Sequence, residues 1–267
     1  MDHAAVLALY DRDLREGAVP DGPGARVERT ASVVRQVGSA HDWNGVLWSA
    51  PDIADPDGVI AEQIARFAAA GHGFEWELYG HDRPADLGRR LRAAGFTPGP
   101  EETLMVGETA GPALDAEPPA GVRLRTVTEA TGVDLLVEVH ERVFGTDGSR
   151  LRQRLLDRLT AAPDTIVAVV ALDGDEPVSA GRLEFVPGTG FAGLWGGGTV
   201  EGRRGQGLYR ALVALRARLA AERGCRYLQV DATSRSRPIL ERLGFTPLTT
   251  TTPYSYDHPE HYDHPEP

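Results

Sequence analysis

The residues best suited to chemistry in this sequence form one short turn, Arg204-Gly205-Gln206-Gly207. A β-rich segment with the glycine run 196–198 precedes the turn, and a helix rich in alanine and leucine follows it. Glycines at a strand-to-helix turn let the backbone approach a ligand, and the first N–H groups of the helix then favour an anion. We therefore expect this turn, with Arg204 and Arg210, to hold a diphosphate, and we expect the glycine run and these arginines to have no packing role.

The composition limits the classes of function. The chain has 267 residues, of which 41% are hydrophobic and 25% charged, as in a soluble globular protein with one large domain or two ordinary ones. A formal net charge of −11 argues against general affinity for nucleic acid or an anionic membrane. The single cysteine, Cys225, excludes an internal disulfide framework. The sequence has no membrane-spanning apolar stretch and no signal-peptide pattern, so we expect a cytoplasmic protein.

The predicted elements divide the chain into two halves. Residues 107–121 are rich in proline, glycine and alanine and show neither helical nor strand periodicity. We predict a first domain over residues 1–107, a linker over 108–120, a second domain over 121–257 and a flexible tail over 258–267. The second domain reads as a strand, two helices, three strands, the glycine-rich turn, a long helix, a strand, a short helix and a last strand.

An internal similarity links the halves. Leu91-Arg-Ala-Ala-Gly-Phe-Thr-Pro98 and Leu240-Glu-Arg-Leu-Gly-Phe-Thr-Pro247 share five of eight residues. Each segment follows a predicted strand and a short helix that contains a proline, and glycine is a common helix terminator. The matching context favours two copies of one fold.

Two motifs give the second half a resemblance to the GNAT superfamily of acetyl-coenzyme A-dependent N-acetyltransferases, over about residues 121–256. The signature of that family is Arg/Gln-x-x-Gly-x-Gly/Ala between a central strand and a helix, followed later by Gly-Phe after a short helix. Residues 204–209 occupy the first motif, with Tyr209 at the Gly/Ala position, and Gly244-Phe245 the second. The resemblance implies an α/β (α+β) protein with two tandem GNAT-like domains, each a mixed, mostly antiparallel twisted sheet flanked by helices, and acetyl-CoA as the cofactor.

The resemblance also implies roles for individual positions. The backbone N–H groups of residues 204–210 would bind the coenzyme A diphosphate, and the strand edge near residues 198–200 would pair with the pantetheine arm. Thr233 and Ser236 stand where the family often has asparagine and alanine beside that arm. The implied cofactor-binding residues are Gly198, Thr199, Val200, Arg204, Gly205, Gln206, Gly207, Leu208, Tyr209, Arg210, Thr233 and Ser236.

Three features depart from the family pattern. Tyr209 stands where glycine or alanine is usual, so its side chain must point away from the diphosphate. Leu240 stands where many members place a tyrosine that protonates the leaving thiolate, and leucine has no proton to give. No Arg-x-x-Gly-x-Gly turn occurs between residues 51 and 73, so we infer that the first domain is a degenerate copy that does not bind the coenzyme in the usual way.

Acetylation of an amine needs a group that removes a proton, because a primary ammonium with a pKa near ~10 is mostly protonated at neutral pH. Glu184 on a predicted strand is the first candidate and Asp231 the second. A salt bridge with Arg182 or a solvated position is the alternative role for Glu184, and Asp231 has a similar alternative. Tyr254 is a candidate proton donor in place of the missing tyrosine, with Tyr256 or a water as alternatives.

Other notable residues favour structural roles. Cys225 follows a helix stop and reads as a small buried residue, and His140 reads as a packing residue more than an acceptor ligand. Trp76 and Trp195 read as core or slot-lining residues. The histidines of the tail could ligate a metal, but prolines and the terminal position favour disorder, and we predict no metal site.

These features predict an enzyme that transfers an acetyl group from acetyl-CoA to the amine of a small molecule, without a nucleic-acid or membrane partner. The alternatives are a catalytically silent CoA-binding or regulatory module, and a GNAT-fold enzyme that uses a different acyl-CoA. The sequence carries no motif for the acceptor or for the oligomeric state.

Overall fold

The structure is a computed structural model of the 267-residue chain and describes residues 1–39, 42–111 and 114–257. The chain forms two compact units, Met1–Thr103 together with the chain from Leu248 onward, and Leu104–Pro247. These limits differ from the predicted domains 1–107 and 121–257. The strand Glu102–Glu108 falls mostly in the second unit, and the strand Thr246–Tyr256 mostly in the first. The unit to which each of these two strands belongs depends on its pairing with other strands, so local composition does not indicate it.

The first unit is a mixed sheet with helices. Its helices are α1 (His3–Tyr10), α2 (Pro56–Ala68) and α3 (Leu87–Ala93). Its strands are β1 (Arg26–Arg29), β2 (Val33–Val37), β3 (Gly45–Ser49), β4 (Phe74–Tyr79), β5 (Thr97–Pro98) and β12 (Thr246–Tyr256). The strand order is β1-β2-β3-β4-β12, with β5 beside β12. The β3–β4 pair is parallel, whereas the β1–β2, β2–β3, β4–β12 and β5–β12 pairs are antiparallel. Helix α2 connects that parallel pair, as a crossover between parallel strands requires.

The second unit is likewise a mixed sheet of six strands with helices. Its helices are α4 (Ala130–Phe144), α5 (Ser149–Ala161), α6 (Leu208–Glu222) and α7 (Arg237–Arg242). Its strands are β6 (Glu102–Glu108), β7 (Val122–Val127), β8 (Ile166–Asp173), β9 (Glu176–Phe185), β10 (Phe191–Thr199) and β11 (Tyr227–Ala232). The order is β6-β11-β10-β9-β8-β7. The pairs from β7 to β10 are antiparallel, whereas β10 and β11 are parallel and connected by α6.

Each face of the second sheet carries its own apolar core. Leu183, Leu194 and Leu228 pack with residues of α6 and α7 on one face. Ala168 and Val170 pack with residues of α4 and α5 on the other face. The period of two along a strand places neighbouring residues on opposite faces, so β9 contributes Leu183 to one core and Ala180 to the other. The predicted mixed, mostly antiparallel sheets flanked by helices are confirmed.

The repeated Leu-x-x-x-Gly-Phe segments have the same geometry in both units. Gly95 (φ 100°) and Gly244 (φ 88°) end α3 and α7 in the left-handed region. In each copy the phenylalanine N–H donates to the carbonyl of the leucine five residues earlier, at 3.1 Å for Phe96 and 3.0 Å for Phe245. This is the Schellman type of helix end, whose left-handed residue is usually glycine. The shared sequence therefore encodes a shared helix stop.

Part of the predicted linker, residues 108–120, packs against the second unit through Leu114. Its side chain is 5% exposed and packs in the core on the α6 face of the second unit. Thr109 also donates hydrogen bonds from its N–H and its hydroxyl to the backbone of Arg226 and Cys225. In the part of the chain that the structure describes, no helix is long and apolar enough to cross a membrane. The predicted tail, 258–267, lies outside the described residues.

Candidate functional site

The turn between β10 and α6 has the backbone conformation that an anion site needs. Gly205 (φ 75°) and Gly207 (φ 88°) both lie in the left-handed region, which favours glycine. Among the described residues, no carbonyl accepts a backbone hydrogen bond from the N–H groups of residues 205–210. A Cβ added at Gly205 or Gly207 would meet no atom within 4 Å, so the turn faces open space. The turn can therefore offer a set of N–H donors and the positive end of α6 to an anion.

Two polar side chains of the turn, those of Arg204 and Gln206, donate hydrogen bonds to backbone carbonyls just before the turn. Arg204 Nε donates to the Thr199 carbonyl at 3.2 Å, which fastens the turn to the end of β10. The Gln206 amide donates to the Gly202 carbonyl at 3.4 Å. Arg210 is exposed in the first turn of α6. Arg204 thus has a structural contact, contrary to the expectation that it serves the ligand alone.

Strands β10 and β11 separate just before the turn. Their parallel register runs from Phe191, opposite Tyr227, to Gly193, opposite Gln229. Beyond Gly193, the described pairing of β10 is with β9 alone and continues to Thr199. One extra residue of β10 between Trp195 and Gly198 forms a bulge, which increases the local bend. One edge of β10 therefore has room for an extended, amide-bearing ligand.

The glycine run at this edge has a packing reason as well. A Cβ at Gly196 would lie 2.8 Å from Arg182 Nη1, and one at Gly198 would lie 2.7 Å from a methyl carbon of Val143. A Cβ at Gly197 would lie 3.0 Å from the ring of Tyr209. These distances are too short for a side chain without displacement of the neighbours. The expectation that the run has no packing role is therefore wrong.

Tyr209 packs inward. Its ring lies against Gly197 and against the apolar core on the α6 face, and burial raises the pKa of its hydroxyl. Its side chain thus faces the body of the unit, as the resemblance requires. Beside it, the Arg216 guanidinium is buried and donates to the Arg182 carbonyl at 2.9 Å, and burial lowers the pKa of Arg216 to about 10.

Glu184 is held by two arginines. Its Oε2 accepts from Arg158 Nη1 at 2.6 Å and its Oε1 from Arg182 Nε at 3.2 Å. Although burial by itself raises the pKa of this carboxyl, the two guanidinium charges and their hydrogen bonds bring the pKa below its usual range. A carboxylate with both oxygens engaged and a lowered pKa is a weak base. The salt bridge with Arg182 that the sequence offered as the alternative is present, and Arg158 strengthens it.

Five polar or aromatic side chains share one face of the sheet around the point of separation. Trp195 lies directly opposite Arg182, and Gly193 lies between Glu184 and Gln229, so these positions face the same side. Asp231, two residues after Gln229 on β11, faces that side too and is half-buried. This is the face that α4 and α5 cover. We call these five side chains the polar face: Arg182, Glu184, Trp195, Gln229 and Asp231.

Gln229 stands out within the polar face. Its side chain is 5% exposed, and its Oε1 has no hydrogen-bond partner among the described residues. A buried amide without a partner costs free energy, and such groups concentrate where a ligand completes their hydrogen bonds. The Nδ1 of His140 on α4 is likewise buried without a partner among the described residues. Burial and the charge of Arg182 lower the pKa of His140, so its imidazole is neutral at pH 7.

The remaining predicted residues lie apart from the polar face. Thr233 and Ser236 form a small turn between β11 and α7, with their hydroxyls 3.3 Å apart. Tyr254 belongs to the first unit, where its ring is buried and its hydroxyl accepts from Arg92 at 2.9 Å. Leu240 is fully buried in the core on the α6 face. The structure thus groups Glu184 and Asp231 and places Tyr254 in a different unit.

Arg158 and Gln229 are the site residues that the sequence did not single out. Arg158 lies on α5, and its partner Glu184 lies 26 residues later on a strand, so no local pattern joins them. Gln229 sits in the apolar strand Tyr-Leu-Gln-Val, where a lone amide could have signalled a buried polar group. Of the other notable residues, Trp76 and Cys225 are buried as predicted, whereas Trp195 is 37% exposed.

The chain is similar to a known protein family and to several solved structures. A family model described as Acetyltransferase (GNAT) family matches residues 133–245. A GCN5-related N-acetyltransferase from Kribbella flavida has 23% identity and a TM-score of 0.66, with 95% of this chain and 93% of that chain covered. A tandem GNAT protein from the clavulanic acid biosynthesis pathway has 14% identity and a TM-score of 0.61, with 92% and 86% covered.

A GCN5-related N-acetyltransferase from Sphaerobacter thermophilus has 18% identity and a TM-score of 0.55, with 86% of this chain and 82% of that chain covered. At these identities the likeness concerns the fold, and it extends over both units of the chain. No curated protein matches the sequence.

Proposed function

We propose that the second unit binds acetyl-CoA and transfers its acetyl group to the amine of a small molecule. The match of residues 133–245 to the Acetyltransferase (GNAT) family model, a family whose fold supports acyl transfer, supports this proposal. The observation that carries this proposal is the turn at residues 205–210, with its unengaged N–H groups and its open side. It fits a diphosphate, because several N–H donors and a helix N-terminus converge there. The adjacent free edge of β10 fits the amides of the pantetheine arm.

Each implied binding residue has a place in this proposal. The N–H groups of residues 205–210 and the charge of Arg210 hold the diphosphate, while Arg204 anchors the turn through Thr199. The edge of β10 at residues 198–200 holds the arm on the side opposite β9. The hydroxyls of Thr233 and Ser236 lie beyond the end of β11 and flank the arm. Bound acetyl-CoA supplies a thioester whose acetyl carbon an amine can attack.

Removal of the amine proton falls to Asp231 in this proposal. Glu184 has both oxygens in ion pairs, so its role is to position Arg158 and Arg182. Asp231 lies on the same face, on the part of β11 that has already separated from β10. Direct departure of the thiolate is tolerable without a tyrosine, since a thiol pKa near ~8.5 makes it a fair leaving group.

We propose that the first unit is a degenerate copy that binds no coenzyme. The position that corresponds to the glycine-rich turn lies between β3 and α2, and it carries carboxylates. Asp55 caps α2 by accepting from the Gly58 N–H at 3.0 Å, and Asp57 lies in the first helical turn. The Asp55 carboxylate thus takes an N–H group that an anion would need, and the negative charges of Asp55 and Asp57 repel an anion at this helix end. The net charge of −11 and the single cysteine support a small-molecule acceptor and a cytoplasmic location.

Calorimetric titration of the full chain with acetyl-CoA tests the cofactor, and release of free thiol with a panel of amines tests the reaction. The proposal expects saturable binding and thiol release that depends on both substrates. No binding of any acyl-CoA would refute the proposal. Binding without turnover on any amine would favour a silent CoA-binding module, which the buried Leu240 in place of a proton donor also favours. A preference for a longer acyl-CoA would replace acetyl as the group transferred.

A further inference from the structure

Resting on the proposed acetyl transfer, we propose that the acceptor amine also carries a carboxylate, and that Arg182 of the polar face binds this carboxylate. The acceptor class would then be short amino acids or compounds that end in an amino-acid-like group. All the residues of this proposed acceptor site belong to the second unit.

The first support is an excess of positive charge. Arg158, Arg182 and Arg216 bring three positive charges to this region, whereas Glu184, which pairs with Arg158 and Arg182, and Asp231 bring two negative charges. Arg216 is also buried, and its guanidinium donates to the backbone carbonyls of Leu212 and Arg182, which carry no negative charge. Burying cations is costly unless anions accompany them. A carboxylate in the acceptor would supply the missing negative charge.

The second support is the free end of Arg182. Its Nε binds Glu184, but neither Nη atom has a hydrogen-bond acceptor among the described residues. A guanidinium offers two parallel N–H groups that match the two oxygens of a carboxylate. The side chain is 12% exposed, so a small group can reach it.

The third support is position. Nη1 of Arg182 lies against the backbone of Gly196, where an added Cβ would be 2.8 Å away. Gly196 belongs to the bulge in β10, next to the edge proposed for the pantetheine arm. A carboxylate held there would leave its amine a few bonds away, near the point where β10 and β11 separate. Trp195, opposite Arg182 and 37% exposed, can cover the methylene groups between the two ends.

Gln229 supplies a group for the other end of the acceptor. It lies on the same face, one strand beyond Gly193, and its buried Oε1 has no partner among the described residues. An amide oxygen accepts a hydrogen bond from an amine or ammonium. The polar face therefore presents a cation for a carboxylate and an acceptor for an amine, which is the pattern of an amino acid.

The experiment compares matched amines that differ in the carboxylate. The full chain with acetyl-CoA is assayed by thiol release with glycine against ethylamine, β-alanine against propylamine, and 4-aminobutyrate against butylamine. We expect kcat/KM to be roughly 10- to 100-fold higher for the carboxylated member of at least one pair, as one charge-assisted pair provides. 2-Aminoethylphosphonate, the phosphonate counterpart of β-alanine, is included, and a preference for it over β-alanine would contradict a carboxylate site.

Two variants assign the preference to Arg182. Arg182→Gln should bring the ratio of kcat/KM within that pair close to one, and Arg182→Lys should restore part of it. Arg123→Gln, which removes an exposed arginine of β7, is the control and should keep the wild-type ratio. Acetyl-CoA affinity and the thermal midpoint of each variant show that it is folded. An equal loss for both members of the pair in Arg182→Gln would overturn the assignment.

The failure of this inference is distinct from the failure of the proposed function. Acetyl-CoA binding without preference for carboxylated amines overturns the inference and leaves the transferase intact. If no amine is turned over, the same pairs are compared by their shift of the thermal midpoint, with and without acetyl-CoA. Stabilisation by the amino acids, lost in Arg182→Gln, supports the site. Equal or absent shifts within every pair overturn it.

Discussion

Replacing Gly207 with glutamate tests the diphosphate turn against a control at the other end of the same helix. Gly207 (φ 88°) precedes α6 and Gly224 (φ 79°) follows it, and a Cβ at either would meet no atom within 4 Å. Any side chain at either position costs roughly 1–2 kcal/mol of folding free energy through the left-handed backbone. Gly207→Glu and Gly224→Glu should therefore lose similar stability.

The two variants should differ in coenzyme affinity. At an effective dielectric constant near 20, two unit charges about 5 Å apart interact by roughly 3 kcal/mol. A carboxylate at Gly207 faces the side on which the diphosphate is proposed, so acetyl-CoA affinity should fall by about 100-fold or more. Gly224 lies about 25 Å away along the helix, so its variant should keep the wild-type affinity. Gly207→Ala separates backbone strain from charge.

Isothermal titration at a temperature where every variant is folded measures these affinities, and urea denaturation measures the stabilities. The wild type and Gly224→Glu should have equal dissociation constants for acetyl-CoA. Gly207→Glu should bind acetyl-CoA about 100-fold more weakly or worse. The same dissociation constant for Gly207→Glu and the wild type would refute the diphosphate turn. Equal losses of affinity in both glutamate variants would show that strain, rather than position, governs binding.

Four further results are expected. Glu184→Gln should lower the free energy of unfolding at pH 7 by about 3 kcal/mol, because a buried pair loses its anion. Since the pKa of Glu184 is lowered on folding, this difference should persist above about pH 4.5 and shrink as the pH falls below it. Urea denaturation of both proteins at pH 7 and below pH 4.5 measures the difference. Asp231→Asn should reduce kcat by about 100-fold or more with acetyl-CoA affinity unchanged in titration; unchanged kcat excludes it as the base. Leu240→Tyr should destabilise the protein by about 1–3 kcal/mol without raising kcat, because the site is fully buried; a faster enzyme would contradict this packing. Calorimetry should give one acetyl-CoA per chain, and two equal sites would contradict the degenerate first unit.

The parts of the site that follow from local backbone conformation were predictable from the sequence. Gly205 and Gly207 adopt the left-handed conformation that glycine favours, and Gly95 and Gly244 end their helices in the same way. These features depend on a few neighbouring residues, so a short motif encodes them. The fold class follows too, since the alternation of strands and helices is a local pattern.

Features that depend on distant partners were not predictable. The environment of Glu184 is set by Arg158 on a separate helix, and this contact turns a candidate base into an ion-paired residue. The place of β12 depends on its register with β4, where Tyr254 lies opposite Trp76. Tyr254 therefore moves out of the predicted second domain. Such pairings are properties of the folded chain and leave no mark on nearby composition.

A crystal structure of the full chain grown with acetyl-CoA tests the central claim most directly. The account predicts one coenzyme per chain, with diphosphate oxygens within hydrogen-bond distance of the N–H groups of residues 205–210 and the arm along the free edge of β10. A coenzyme bound elsewhere, for example at the turn between β3 and α2 of the first unit, would contradict it.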